Sequence, residues 1–554
     1  MRAGVLTCTL LAAFTLCADR LLAQPVRGIG DDALTAPRRA IRVQISTTIG
    51  DASQRYGEGS PGRREGSLEP LGTDFTTDTL GARQFPSLGA AQQAIRTLTG
   101  NTGFTLNLGR TVLTSSVRTQ VTPVLLEAGL TNRLQLSVMV PLVTARNEAG
   151  LNINGSGALA NVSFNPARSG DTSANLTLVN QLSAARGELS TLVASCTANP
   201  GVSPSCPAVL ATGATVVAST TTFVQAITQL YGTTSTTGSA FVPLAGSAAD
   251  SVIRTRVSTF RTQFAAFGVT PIPATTVGPA RPSAAVTPDG LQRIIRDSTL
   301  DLVAAPVSTI TRQGIGDVEV AVKLRLFDSF GTRSDTSRFL PTGLHVRQSV
   351  AGVFRIGTGT IDEPDHFLDV GTGDGQNDVE VRSFTDIVYG RRFFGSIVAR
   401  YTVQLADQLT RRITDTPEQV WAPAYRQQLV DRNLGDQLEL EVTPRLIMSD
   451  FFSMGVQYLF RRKAADTFGG TTVTPPGFGI LPVADISTLG LQTSATEHRL
   501  GWGLTFSALA AYDRGKAKLP VEVQYFNSRT VAGAGGMVQK LSMHQLQVRW
   551  YPSR

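Results

Sequence analysis

The residues able to do chemistry are few and scattered. The four histidines, His345, His366, His498 and His544, lie far apart in sequence, with no two at metal-ligand spacing. The sequence has no Gly-x-Ser-x-Gly, His-Glu-x-x-His or P-loop pattern. Gly314-Ile315-Gly316-Asp317 lacks the third glycine and following helix that a dinucleotide-binding loop needs. His498 has no serine to which the pattern pairs it. The sequence therefore reads as that of a non-enzyme with no cofactor.

Two smaller groups remain. Asp362, Glu363, Asp365, Asp369, Asp374 and Asp378 crowd one segment, with Gly371, Gly373 and Gly375 between them. Oxygen ligands on a flexible loop suit Ca²⁺, but the spacing matches no EF-hand. A solvated acidic loop is the competing reading. Cys196 and Cys206 flank Asn199-Pro200-Gly201. Two cysteines left in an exported chain read as one disulfide.

Most charged residues fall into a repeating pattern. From Asp317 to Phe327, Val318, Val320, Val322, Leu324 and Leu326 alternate with Glu319, Lys323 and Arg325. Leu438, Leu440 and Val442 alternate with Glu439, Glu441 and Thr443, and His498, Leu500, Trp502, Leu504 and Phe506 with Glu497, Arg499, Gly501 and Gly503. Successive strand side chains face opposite ways, so each segment has one apolar and one charged face. Repetition of such segments fits a transmembrane β-barrel with lipid outside and a wet lumen. Glu319, Lys323, Arg325, Arg347, Arg355, Arg400, Glu439, Glu441, Arg445, Glu497 and Arg499 are the expected pore-lining residues. Both signs occur, which implies little ion selectivity. Mutual pairing of these charges in a closed lumen is the alternative.

The elements that position them follow from the same alternation. Eleven strands are expected at 119–130, 133–146, 316–328, 343–357, 377–390, 393–405, 436–448, 451–462, 494–512, 519–529 and 537–551. A twelfth, Ala40 to Ile49 or else 103–116, makes the number even, as bacterial barrels require. Short connections at Thr131-Asn132, Arg391-Arg392, Ser449-Asp450 and Asp513 to Lys518 alternate with long ones at 358–376, 406–435 and 464–493. This is the pattern of periplasmic turns and extracellular loops, from which 329–342 departs by its length. Trp550-Tyr551 would sit at the periplasmic interface.

Residues 148–313 break the pattern. Leu178, Leu182, Ala185, Leu189, Leu192 and Cys196 recur at helical spacing. So do Val209 to Leu230 and Ile253 to Phe267, and Thr287-Pro288 can start a fourth helix. A helical, coiled-coil-like extracellular insert is expected, unless it folds back as a plug.

Charged residues make up 17% of the 554-residue chain and hydrophobic ones 42%. The low charge agrees with a barrel rather than a soluble enzyme. The net charge of +8 comes from arginines without interleaved aromatics, which argues against nucleic acid. Arg2 and the apolar run Val5 to Leu16 read as a signal peptide cleaved after Ala23, or after Ala18. Cys17 is a lipid-anchor candidate, but the bulky Leu16 precedes it. The domain order is then signal peptide 1–23, an N-terminal segment with the first strand 24–118, a barrel hairpin 119–147, the insert 148–313 and the remaining strands 314–554.

Gly314-Ile315-Gly316-Asp317-Val318-Glu319-Val320 with Lys323 resembles the strand start of the outer-membrane "MetA-pathway of phenol degradation" proteins. Pro341-Thr342-Gly343 and Leu126-Glu127-Ala128-Gly129-Leu130-Thr131-Asn132-Arg133-Leu134 are similar to their later strand start and hairpin. The likeness covers 119–147 and 314–550. It implies a transporter-like barrel in the outer membrane of a Gram-negative cell, passing small solutes such as aromatic or hydrophobic compounds. Lipid, lipopolysaccharide and the barrel-assembly machinery are the expected partners. Oligomeric state is left open. The rival reading is a surface interaction protein that uses the barrel to anchor its helical insert.

Overall fold

The computed structural model describes residues 30–57, 59, 64–155, 159–329, 343–390, 392–415, 419–472, 484–536 and 538–552. The signal-peptide reading at 1–23 and nearly all of the 329–342 connection lie outside them.

Among the described residues, twelve antiparallel strands close into one ring. They are β1 (Ile41–Ala52), β2 (Thr111–Gly129), β3 (Leu134–Ile153) and β4, broken at Gly316-Asp317 into Ile310–Ile315 and Val318–Asp328. Then come β5 (Leu344–Ile356), β6 (Asp378–Tyr389), β7 (Phe393–Gln404) and β8 (Gln437–Ile447). The ring ends with β9 (Phe452–Lys463), β10 (Ala495–Ser507), β11 (Val521–Ala534) and β12 (Ser542–Trp550). Strand β1 closes it, pairing Val43 with Trp550 on one side and with Leu126 on the other. Of the two candidates for the extra strand, Ala40 to Ile49 is the one that forms it, while 111–116 extends β2.

Alternation sets the two faces. Leu324 (40% exposed), Val381 (59%) and Trp502 (48%) stand on the outside among many other large apolar side chains. Such a surface is unfavourable in water and suits lipid. Ring closure leaves no unpaired strand edge, which a hydrocarbon environment demands. The chain is a transmembrane β-barrel.

Three details differ from the pattern-based expectation. Strand β10 stops at Ser507, and 509–513 is a helical turn, because Ala508 N–H bonds to Val521 and Tyr512 N–H to Ala508. The aromatic pair splits: Trp550 faces out, whereas Tyr551 turns inward and donates to Glu522 at 2.7 Å. The ladder also claims 148–153 and 310–313, since β3 runs on to Ile153 against β2 and pairs Asn147 with Ile310.

Above the long-loop end sits a cap. Its helices are α1 (Gly89–Thr99), α2 (Ser173–Ala198), α3 (Ala214–Tyr231, preceded by a π turn), α4 (Ala248–Ala266) and α5 (Pro288–Arg296). The Thr287 hydroxyl caps α5 at Gly290 N, with Pro288 in the first turn. The stretch Cys206–Tyr231 is long and apolar enough to cross a membrane. It instead buries Phe223, Ile227 and Leu230 against its neighbours, with Phe223 and Phe260 rings 5.2 Å apart. Helix α1 carries no signal strong enough to have been expected. It joins the same apolar core as the insert, Trp421 of the 405–436 loop and the tips of β2 and β3 at Leu113, Leu151 and Ile153. The cap is thus built from several loops and the insert together. Cys196 and Cys206 are disulfide-bonded inside that core.

Candidate functional site: the charged lumen

Inside the ring, each expected lining residue falls on an inward position and most meet a partner. Glu319 accepts from Arg355 at 2.8 Å and Arg382 at 3.1 Å. Arg355 also donates to Asp378 at 2.8 Å and Glu380 at 3.3 Å. Arg325 and Arg347 converge on Asp328 at 2.9 and 3.1 Å. Arg400 donates to Glu439, to Glu441 at 2.9 Å and to Asp31 at 2.7 Å. Glu497 accepts from Arg499 at 2.7 Å and the Thr530 hydroxyl at 2.9 Å, and pairs with Arg461 at 2.7 Å. Lys323 donates to the Asp32 carbonyl and lies 3.9 Å from the Phe384 ring centre. Arg445 is stacked 4.9 Å over Phe394.

The expectation from sequence missed Asp328, Glu380, Arg382, Asp386 and Arg461. Of these, Glu380, Arg382 and Asp386 share the inward face of β6 with Asp378, so the same period-2 rule could have found them. Asp31 and Asp32 precede any periodic segment and carried no such signal.

Those two aspartates belong to a strap, residues 30–39, that threads the lumen from the short-turn end. Its lower part is fixed by Arg39 N–H to the Gly129 carbonyl and Arg38 N–H to Asn132. A side chain at Gly129 would collide with the Pro37 carbonyl, so glycine permits this close approach. Higher up, Ala36 N–H donates to Gln135 at 2.7 Å, and Gln135 in turn donates to Glu127, the partner of Arg42. Ala33 N–H reaches both Asp386 oxygens at 3.0 Å. Where the insert was weighed as a plug, the lumen holds the N-terminal strap instead.

Side chains do not fill the lumen completely. Inward side chains of Asp31, Arg461 and Glu439 are 49%, 38% and 25% exposed within the closed ring. The wall is also two-sided. Strands β2 and β3 turn Val121, Pro123, Leu125, Met139, Pro141 and Val143 inward, since Leu126, Val138 and Leu142 face out.

The acidic loop does not converge on one point. Asp362 pairs with Arg411, Asp365 with Arg412, Glu363 and Asp369 with Arg312, and Asp378 with Arg355 in the lumen. Glu363, His366 and Asp369 do lie within ligand reach of one another, but Arg312 occupies that position at 2.8 Å from Asp369. Burial works against the Asp369 charge, yet bonds from Arg312 and from the Glu363 and Val370 N–H groups hold its carboxyl below the usual range.

No protein-family model matches the sequence, and neither does any curated protein. Among solved structures, the fold is similar to the COG4313 outer membrane channel from Pseudomonas putida F1, at 8% identity and a TM-score of 0.39, covering 95% of this chain and 100% of that one. It is similar also to the P. putida toluene transporter TodX, at 8% identity and 0.24, covering 93% and 91%. A third likeness is the CymD monoaromatic hydrocarbon channel, at 7% identity and 0.26, covering 93% and 89%.

Proposed function

We propose that this protein is an outer-membrane channel for passive passage of small solutes. Its short turns face the periplasm and its cap the exterior, following the loop asymmetry of such barrels. The observation that carries the reading is the incompletely filled, charge-lined lumen inside a barrel whose outer surface is apolar. A barrel serving only as an anchor has no need of partly hydrated ion pairs, which cost desolvation energy wherever they are enclosed. The apolar wall of β2 and β3 favours solutes with a hydrophobic body, aromatic compounds among them. Twelve strands make a narrow lumen, so the solutes are small. Export would remove residues 1–23, and the barrel-assembly machinery and lipopolysaccharide would be its partners in the membrane.

Single-channel recording of the refolded mature protein in a planar bilayer tests this. Discrete conductance steps are expected. Their absence at every voltage, with the barrel shown to be folded, would end the channel reading.

A further inference from the structure

We infer that a divalent cation, Ca²⁺ by its chemistry, binds at the long-loop end of the lumen, in a corner made by Gln376, Asp378 and Gln404. The site needs no assumption about what crosses the lumen. One register row crosses four strands there: Glu319 of β4, Arg355 of β5, Asp378 at the start of β6 and Gln404 at the end of β7. Arg355 commits its donors to Glu319, to Glu380 and to Asp378 Oδ2. Gln404 stands opposite Asp378 on the other side, with about 5 Å expected between their Cβ atoms. Gln376 lies two residues before Asp378 and so shares its inward face. Its amide N–H donates to the Leu405 carbonyl, which sets the side chain against the end of β7. Asp378 Oδ1, Gln376 Oε1 and Gln404 Oε1 are buried and have no hydrogen-bond partner among the described residues. The three residues are 0%, 1% and 4% exposed. Buried acceptors are rarely left unanswered, because each costs its desolvation without return. A water has two protons to give and needs partners for its own oxygen, so one water answers three acceptors incompletely. A hard cation takes oxygens alone, amide carbonyls and carboxylates together.

Charge points the same way. Asp374 lies beside the corner, its Oδ1 accepting from the Gln376 N–H at 2.9 Å. Asp317 accepts from the Asp374 N–H at 3.2 Å and the Gly359 N–H at 2.8 Å. With Glu319, Asp378, Glu380 and Asp407 they make six carboxylates, and the guanidiniums bonded among them are three, Arg355, Arg382 and Arg432. Neighbouring cations are matched elsewhere. Arg400 answers Asp31, Glu439 and Glu441, while Arg312, Arg411 and Arg412 of the cap answer Asp369, Asp362 and Asp365. An excess of negative charge therefore surrounds the three unanswered oxygens, and a divalent cation would offset it.

The test is titration calorimetry of the full mature protein, refolded in detergent free of lipopolysaccharide, with CaCl₂ and then MgCl₂. One Ca²⁺ per chain is expected, with a Kd of about 10⁻⁴–10⁻³ M, because neutral amides supply much of the ligand set. Mg²⁺ gives up its waters reluctantly and should bind about tenfold more weakly or less. Gln376→Met with Gln404→Met keeps the side-chain volume and removes both amide oxygens, so it should weaken Ca²⁺ binding by about tenfold or more. Gln404→Met alone should weaken it in the same direction and serves if the pair does not fold. Asp362→Asn with Asp365→Asn, in the arginine-paired part of the loop, should leave it unchanged. Heat-modifiable gel migration shows which variants are folded. No saturable Ca²⁺ binding by wild type, or an affinity untouched by Gln404→Met, overturns the inference and leaves the channel reading intact.

Discussion

The Ser349 hydroxyl donates to the Ala33 carbonyl at 2.5 Å, tying the strap to the inner wall of β5 across 316 positions of sequence. The Ala33 side chain packs beside Ala351, Phe384 and Val398 in a small buried cluster. A cross-link here should fix the strap in place. Ala33→Cys with Ala351→Cys is expected to conduct like wild type when reduced and to lose most of its conductance when oxidised. Conductance that ignores the cross-link would show that solutes pass beside a seated strap.

Adjacent residues of β4 meet opposite environments. Leu324 is outward and 40% exposed to what would be lipid, while Lys323 points at Phe384 and the strap. Leu324→Arg should therefore cost about 2–4 kcal/mol near the bilayer midplane. Lys323→Leu should cost much less, because it removes a lumen contact and places nothing charged in lipid. Refolding into lipid vesicles over a denaturant series compares the two. Equal losses would put the strand in the wrong phase.

Much of this barrel was legible because period-2 alternation is read strand by strand. Val318 to Leu326 needs no distant partner to show which face meets lipid. The strap was not legible, since Asp31 and Asp32 act through contacts with β4, β7 and β8 and have no periodicity of their own. Helix α1 was missed for a related reason. Its buried Ala91, Ala94, Ile95 and Leu98 make a short seam that gains meaning only against α3 and α4. The acidic loop looked like a ligand cluster because the arginines that answer it, Arg312, Arg411 and Arg412, lie in segments far away in sequence.

Acid should loosen the cap through Asp369. Its carboxyl is 1% exposed and held below the ordinary carboxylate pKa of 3.8. A carboxyl depressed in the fold contributes stability that is complete above its unfolded value and disappears as pH falls through the folded one. The loss should begin only below about pH 4. Asp301 acts with opposite sign. Burial raises its pKa, so the penalty for its charge grows as pH rises past 3.8 and is absent below. Asp369→Asn should flatten the acid-side loss in protease protection of the cap. Arg312 is 32% exposed, so the effect at neutral pH should be modest, about 1 kcal/mol. An unaltered acid profile in this variant would mean that other groups set the cap's response.

The Cys196–Cys206 bond should matter to the cap and leave the barrel alone. It joins the last turn of α2 to the start of the α3 segment, and both sulfur-bearing residues are fully buried. Closing a loop of this length is worth about 2–3 kcal/mol in the chain-entropy model. From sequence the helices have little other core, which would make that amount decisive. The structure shows a larger core, in which α1 and α4 pack against α3 and the same apolar cluster extends to α5 and Trp421. Reduction should therefore fray the hairpin end first, opening sites around 199–205 to protease before the remainder of the cap. The strands carry their own closed hydrogen-bonded ladder and meet the cap at the tips of β2 and β3 and at Arg312 of β4, so they should stay protected. Limited proteolysis with mass-spectrometric mapping, with and without reductant, reads both regions at once. Free thiols in the untreated protein, or strand cleavage on reduction, would contradict this division between cap and barrel.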